Sequence, residues 1–381
     1  MSHALELRCE PIPYVRVGLV GLGNRGLKTL ERYRFLQHAG IVAVADLDHT
    51  KTEHANMLLK ESGRNEAKTY YGEDCWKDIC RDPDVDIIYI CTDWESHAII
   101  AVMAMEYGKH AAVEVPAAMS VEDCWRLVET SEKTRRHCFM TENCCYDSFS
   151  LSVKNMTDEG FFGEITHCEG AYIHHLETES PWMEKIYARH GGNPYPTHGL
   201  GPIGWLLNLH RGDRLSHLVS MTAEDGRQNS TLLKTELGKT ILLQLDVTTT
   251  RPYSRLQTVC GTQGFSQKYP LPTICSATGE TLCGEAALDK AEAYFNGHAA
   301  EAWKRGKLLG VENEMNYAMD SRLIHCLRNG LPLDIDVYDA AEWSCISELS
   351  RLSAQNGSQP VEIPDFTRGN WKTLKRHTLY Q

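Results

Sequence analysis

The stretch Val15-Arg-Val-Gly-Leu-Val-Gly21-Leu-Gly23-Asn-Arg-Gly26 decides the fold. A short apolar run enters Gly21-x-Gly23-x-x-Gly26, and a helix-compatible segment, Leu27 to Phe35, leaves it. This is the strand-turn-helix setting of a dinucleotide fingerprint. The first glycine makes the turn, the second admits a pyrophosphate to the backbone, and the third lets helix and strand pack closely. Unpaired N–H groups at the helix start favour the anion. A second apolar run, Ile41 to Ala45, ends in Asp46, 20 residues beyond Gly26, where a carboxylate can accept hydrogen bonds from a ribose.

Working outward, Val85 to Cys91 and His110 to Val115 read as buried parallel strands, and His137 to Glu142 as another. Helices are expected over Thr50–Ser62 and Ala98–Tyr107, and from Ser120 to about Lys133, where Ser120-x-x-Asp123 forms an N-terminal cap. Such alternation implies a doubly wound sheet with its ligands beyond the carboxyl ends of the strands. Gly21, Asp46, Thr92, Glu114 and Asn143 fall at those ends, and Thr92 to His97 should border the cofactor.

From Phe149 the pattern changes to longer alternating runs: Ile165–His174, Leu215–Ala223, Thr231–Glu236, Thr240–Thr249 and Leu256–Cys260. These predict an open, mainly antiparallel sheet in a C-terminal α+β domain. The expected division is an NAD-binding Rossmann domain over 1–147 and a substrate-binding domain over 148–381. Between the first two runs lies a stretch, Leu176 to Gly204, that reads as a long irregular loop of functional type. Helices near Glu314–Arg328 and Val337–Ser353 are expected to return to the first domain.

The 381 residues suit two domains, and the formal charge of -12 argues against nucleic acid or an anionic membrane, since no basic stripe exists to release counterions. A small, neutral or cationic substrate fits better. No apolar run reaches transmembrane length and Met1–Pro13 is mixed and polar, so the expected compartment is the cytoplasm and the 14 cysteines are read as thiols. The Cys144-Cys145 pair and the Cys138/Cys144 spacing match no metal-site pattern, and no metal is expected.

At Glu114-Val115-Pro116 the chain resembles the superfamily of glucose-fructose oxidoreductase, inositol dehydrogenase and MocA, whose members carry Glu-Lys-Pro there. The lysine of that family generally assists proton transfer from the hydroxyl being oxidised, and valine cannot. Six strings match one branch: Glu-Val-Pro-Ala-Ala (114–118), Glu-Asn-Cys-Cys-Tyr (142–146), Phe-Gly-Glu-Ile (162–165), Glu-Gly-Ala-Tyr-Ile-His (169–174), Tyr-Pro-Thr-His-Gly-Leu-Gly-Pro (195–202) and Arg-Pro-Tyr-Ser-Arg (251–255). Together they resemble glycoside hydrolase family 109, NAD-dependent glycosidases typified by α-N-acetylgalactosaminidase. The resemblance implies transient oxidation of the substrate's 3-hydroxyl, loss of the glycosidic oxygen by elimination, water addition and re-reduction. The alternative is an NAD(P)-dependent sugar or cyclitol dehydrogenase, against which Val115 counts.

Carried over by position, the resemblance implies an NAD site at Gly21, Gly23, Asn24, Arg25, Gly26, Asp46, Thr92, Trp94, Glu95, Ser96, His97, Glu114, Val115 and Asn143. It implies a carbohydrate site at Tyr172, Tyr195, Pro196, Thr197, His198 and Tyr253. His198, with an ordinary pKa near 6.5, is the first choice for acid/base work on the 3-hydroxyl. Tyr195 or Tyr172 is expected to deprotonate carbon 2, given a cation that lowers the phenol pKa, and His174 is in reserve. Members commonly form homo-oligomers, dimers or tetramers. The chain departs from typical members at Met183, at Glu312-Asn313-Glu314 and in lacking an export signal, which bears on which sugar is accepted.

Overall fold

A computed structural model describes residues 3–175, 181–224 and 226–379. Its first sheet is formed by six parallel strands: β1 (Val15–Val20), β2 (Ala39–Asp46), β3 (Lys68–Tyr71), β4 (Ile87–Ile90), β5 (His110–Val113) and β6 (Cys138–Met140), in the order β3-β2-β1-β4-β5-β6. The central strands are covered on both faces, which is why they read as unbroken apolar runs rather than alternating ones. Between them run α1 (Asn24–Tyr33), α2 (His49–Glu61), α3 (Cys75–Arg81), α4 (His97–Glu106) and α5 (Val121–Thr134). The strand order reverses between β1 and β4, so the crevice expected for a ligand opens at the glycine turn. Ser120 caps α5 as its spacing predicts, its hydroxyl accepting from the Asp123 N–H.

The second sheet has nine strands. They are β7 (Ile165–Ile173), β8 (Leu215–Thr222), β9 (Gln228–Thr235), β10 (Thr240–Asp246), β11 (Ser254–Gly261), β12 (Gly264–Gln267), β13 (Thr273–Ser276), β14 (Thr281–Cys283) and β15 (Val361–Glu362), ordered β14-β13-β12-β11-β7-β10-β9-β8-β15. It is mainly antiparallel as expected, with one parallel pair, β7 and β10, at its centre. Helix α6 (Ser148–Asp158) leads from the first sheet into it.

The stretch read as a loop is largely helical, apart from 176–180, which lies outside the described residues. It forms α7 (Pro181–His190) and α8 (Thr197–Leu206). Glycines and Pro202 mask α8 in the sequence, and because every one of its residues is buried it has no polar face to set a period. Its glycines serve close packing: a Cβ on Gly199 would stand 2.7 Å from the Ala171 nitrogen in β7, and one on Gly204 would stand 2.9 Å from the Trp343 ring.

The remaining helices are α9 (Glu285–Glu292), α10 (His298–Leu309), α11 (Glu314–Asn329) and α12 (Val337–Gln355). The last two tie both sheets together. From α11, Asp320 pairs with Arg32 of α1 at 2.6 Å. From α12, the Ser344 hydroxyl accepts from the Ala117 N–H at 3.0 Å, and the Tyr338 hydroxyl donates to Glu132 of α5 at 2.6 Å. Among the described residues, no helix is long and apolar enough to cross a membrane, and the 14 cysteines are free thiols.

Candidate active site between the two sheets

The glycine turn has the geometry its sequence requires. Gly21 takes φ +89°, where a Cβ would lie 2.6 Å from the Cys91 carbonyl oxygen, and a Cβ on Gly26 would lie 1.9 Å from that of Gly21. At Gly23, by contrast, a Cβ would meet nothing within 4 Å. Gly23 is also the N-cap of α1 and no side chain caps that helix, so open space faces N–H groups without a side-chain partner. A dinucleotide's phosphates fit such a cradle. The Asp46 carboxylate sits against the turn, accepting from the Leu22 N–H at 2.7 Å and the Asp48 N–H at 3.0 Å, with Lys51 at 3.4 Å.

Other strand-end residues converge there. Arg25 and Glu114 form an ion pair at 2.9 Å, Val115 is buried beside them in sequence, and the Asn143 side-chain amide donates to Asn316 of α11 at 2.9 Å. Thr92 and Ser96 bond each other through their hydroxyls at 2.7 Å, while Glu95 is exposed. His97 is fully buried, its ring nitrogens 2.8 Å from the Pro116 carbonyl oxygen and 3.1 Å from that of Thr92. It therefore acts as a tie between two strand-end loops, with both nitrogens already engaged. Trp94 is buried too, packed edge-on against Trp182 and Tyr187 and tilted against Tyr195, with centroids 5.3, 5.7 and 5.4 Å away. It links the Thr92–His97 segment to the aromatic candidates around Tyr195.

The helix start of α8 and strand β7 bring the aromatic candidates together. The Tyr195 ring lies 4.7 Å from that of Tyr172 and 4.8 Å from that of His198. Tyr172 reaches the His174 Nδ1 with its hydroxyl at 3.5 Å, and Tyr253, 45% exposed, stands edge-on to His174. Pro196 precedes the first turn of α8, and Thr197 is fully enclosed. Sequence reading missed Glu142. Its carboxylate, entirely buried, receives His198 Nδ1 at 2.8 and 2.9 Å on its two oxygens, which turns His198 Nε2 toward the Tyr195 hydroxyl at 3.3 Å. The signal available was a carboxylate at the end of the last parallel strand, one residue before Asn143.

The electrostatics change the expected roles. Burial disfavours the His198 imidazolium, but negative charge on the Cys144 sulfur and on the Glu142 carboxylate more than offsets it and pushes the pKa up to about 10. Burial equally opposes the Glu142 carboxylate, and His198 outweighs that, holding its pKa below the ordinary value. The Glu142 carboxylate thus favours a protonated His198 over a group poised near 6.5. Tyr195 is raised well above 10 by burial, with Tyr172 and Tyr187 adding to it and Arg25 opposing. The cation expected to lower that phenol is present and is outweighed.

Comparison with known proteins fits this geometry. Residues 15–142 match the oxidoreductase family with an NAD-binding Rossmann fold, and residues 176–229 and 224–373 match the glycosyl hydrolase 109 C-terminal domain. Among solved structures, an NAD-binding oxidoreductase from Klebsiella pneumoniae aligns with a TM-score of 0.75 at 15% identity, covering 92% of this chain and 100% of that one. A levoglucosan dehydrogenase solved with NADH gives 0.74 at 16% identity, over 92% of this chain and 100% of its own. At such identities the likeness is one of fold. Sequence relatives are much nearer: glycosyl hydrolase family 109 protein 2 of Phocaeicola vulgatus is 52% identical over 97% of this chain and 98% of its own length. A protein named alpha-N-acetylgalactosaminidase, from Bacteroides fragilis, is 49% identical over 97% of this chain and 96% of its own length. The chain belongs to glycosyl hydrolase family 109, a glycoside hydrolase carrying an NAD-binding Rossmann fold.

Proposed function

We propose that the protein is an NAD-dependent glycosidase that cleaves α-N-acetylgalactosaminides by oxidation, elimination, hydration and reduction, the Rossmann part ending near residue 147. The observation that carries this reading is the Glu142–His198–Tyr195 relay: the proton-handling groups lie on the relay, and position 115, a buried valine, has none. The strand-end residues from Gly21 to Asn143 hold the cofactor, with Asp46 against the ribose. NAD bound there would supply reversible oxidation at carbon 3 of the sugar. Tyr172, Tyr195, Pro196, Thr197, His198 and Tyr253 form the sugar subsite, the aromatic faces packing against its C–H surface.

Glu142 occupies Nδ1 of His198 and fixes the ring. With substrate seated, the imidazolium first releases its Nε2 proton to solvent. The neutral ring then takes the 3-hydroxyl proton at Nε2 and returns it at the end of the cycle. With carbon 3 at the ketone level, the hydrogen on carbon 2 is acidic. Tyr172 removes it as the phenolate, once its hydroxyl proton has passed to His174 Nδ1, 3.5 Å away. The carbon 2 electron pair forms a double bond to carbon 1 as the glycosidic C–O bond breaks. Water then adds to carbon 1, and a proton returns to carbon 2. Tyr172 takes this step in preference to Tyr195, whose phenol is raised by burial and already faces His198. No pair of carboxylates flanking the bond is needed.

The test uses purified protein with aryl α- and β-glycosides and no added cofactor, following phenol release and reduced-nicotinamide absorbance together. Many turnovers of phenol from the α-N-acetylgalactosaminide without net absorbance gain are expected. Stoichiometric accumulation of reduced cofactor would instead identify a dehydrogenase.

A further inference from the structure

Glu142, Cys144 and His198 offer a carboxylate oxygen, a sulfur and an imidazole nitrogen that all lie within 4.8 Å of one another, and all three residues are buried. No spacing in the sequence announces this set, because His198 comes from α8 while the other two flank Asn143 at the end of the first sheet. A tetrahedral zinc ion holds sulfur at about 2.3 Å and nitrogen or oxygen at about 2.0–2.2 Å, so its ligands stand roughly 3.3–3.8 Å apart. To reach that spacing the His198–Glu142 hydrogen bond at 2.8 Å opens and the donors, now within 4.8 Å of one another, close around the ion. Mixed O, N and S donors suit a borderline-soft cation of the zinc class over magnesium or calcium, which take oxygen alone.

We propose that Glu142, Cys144 and His198 form a three-ligand site for a zinc-type divalent cation, and that its occupation silences the proton relay. The exchange is balanced by protons. The cation forms bonds to the Cys144 sulfur and a His198 nitrogen, and the thiol proton and one imidazolium proton leave to solvent. Glu142 then turns from hydrogen-bond acceptor to metal ligand, so His198 loses both its proton and its orientation. A fourth position is left open on the metal, as in sites with three protein ligands. Two neighbours tune the affinity. The Asn143 side-chain oxygen accepts from the Cys144 thiol at 3.5 Å, a contact given up when the thiolate forms. The Arg255 guanidinium opposes a cation there, an effect only partly offset by Asp147 at 3.1 Å, which Arg255 shares with Lys268. The inhibitory consequence rests on the acid/base reading of His198; the binding itself does not.

Cobalt(II) added to the protein as purified, without substrate, tests binding separately from catalysis. One equivalent should give intense tetrahedral d–d bands and a sulfur-to-cobalt charge-transfer band. Cys144→Ser should abolish the charge-transfer band and weaken zinc inhibition of phenol release at least about tenfold relative to the variant's own metal-free rate. Cys283→Ser, at the exposed thiol, should keep both. Were Cys144→Ser not to fold, zinc should still protect Cys144 of the wild-type chain from iodoacetamide, read by peptide mass. Absence of the cobalt bands, their persistence in Cys144→Ser, or equal alkylation with and without zinc would overturn the site. Cobalt bands at Cys144 without inhibition of turnover would keep the site and remove the acid/base role of His198.

Discussion

Two buried histidines flank α8, and they differ in what surrounds them. His198, in its first turn, and His210, beyond its end, are both pushed up to about 10 against the opposing effect of burial. His198 is held by one carboxylate and turns its other nitrogen to a phenol in the cleft. His210 is closed on every side: Asp339 at 3.3 Å on Nδ1, Glu342 at 3.0 Å on Nε2, and Arg211 bonded to Asp339 and Asp336. Its solvent exposure is 1%. On the proposed reading the same perturbation serves chemistry in one place and cohesion in the other. A shifted pKa alone does not mark an active site; a partner that substrate can replace does.

The largest effect is expected at His198. His198→Ala should lower the turnover of the folded protein by roughly 10²–10⁴-fold, the span of general acid–base contributions, with cofactor still bound. A loss of stability should accompany it, from the Glu142 carboxylate left without its partner. Near-wild-type phenol release would end the distinction between the two histidines. His210→Ala should do the reverse. It leaves the buried Asp339 and Glu342 carboxylates short of a partner, so denaturant unfolding should show a loss of about 3–5 kcal/mol. The activity of the folded fraction should stay within a few fold. A large drop in turnover at unchanged stability would show His210 to be linked to the site.

Glu142→Gln sharpens the comparison from the carboxylate side. The amide keeps the shape and can still accept from His198 Nδ1, but it no longer stabilises the imidazolium. Turnover should fall by roughly 10–100-fold, as for other residues that orient a catalytic or metal-bound histidine. A fall as deep as that of His198→Ala would make the charge of Glu142 as important as the imidazole itself.

What was legible in the sequence follows the same division between local and assembled features. Gly21, Gly23 and Gly26 announced the first sheet because a turn, an approach and a close packing each need glycine locally, and Asp46 followed at a fixed distance. Helix α8 was unreadable because burial on all sides erased its period and its glycines looked like a loop. The short strands β12–β14 and helices α9 and α10 escaped notice: their apolar residues are few and half-covered, so no alternation stands out. Family strings located Tyr195 and His198, yet Glu142 stayed hidden in a string from which only Asn143 had been singled out. Its role depends on α8 crossing the end of β6, which no local pattern encodes.

The smallest effect is on the pH dependence of stability, and it distinguishes the histidines by additivity. A folded-state pKa raised from 6.5 to about 10 means that the folded protein keeps a proton the unfolded chain releases in that window. The stabilisation from His210 is therefore complete below about pH 6.5 and is lost as pH rises toward 10. His198 has the same sign. Asp339 and Glu342 on α12 face His210, and the Arg211 guanidinium pairs with Asp339 beside it. Unfolding free energy measured from pH 6.5 to 10 should decline in the wild type and decline less in His210→Gln, with His198→Gln removing a further, separate part. Ligand breaks the symmetry: a competitive sugar should alter only the portion that His198→Gln removes, since substrate replaces the partner of His198 and never reaches that of His210. If ligand altered both portions alike, the two histidines would belong to one coupled network through α8.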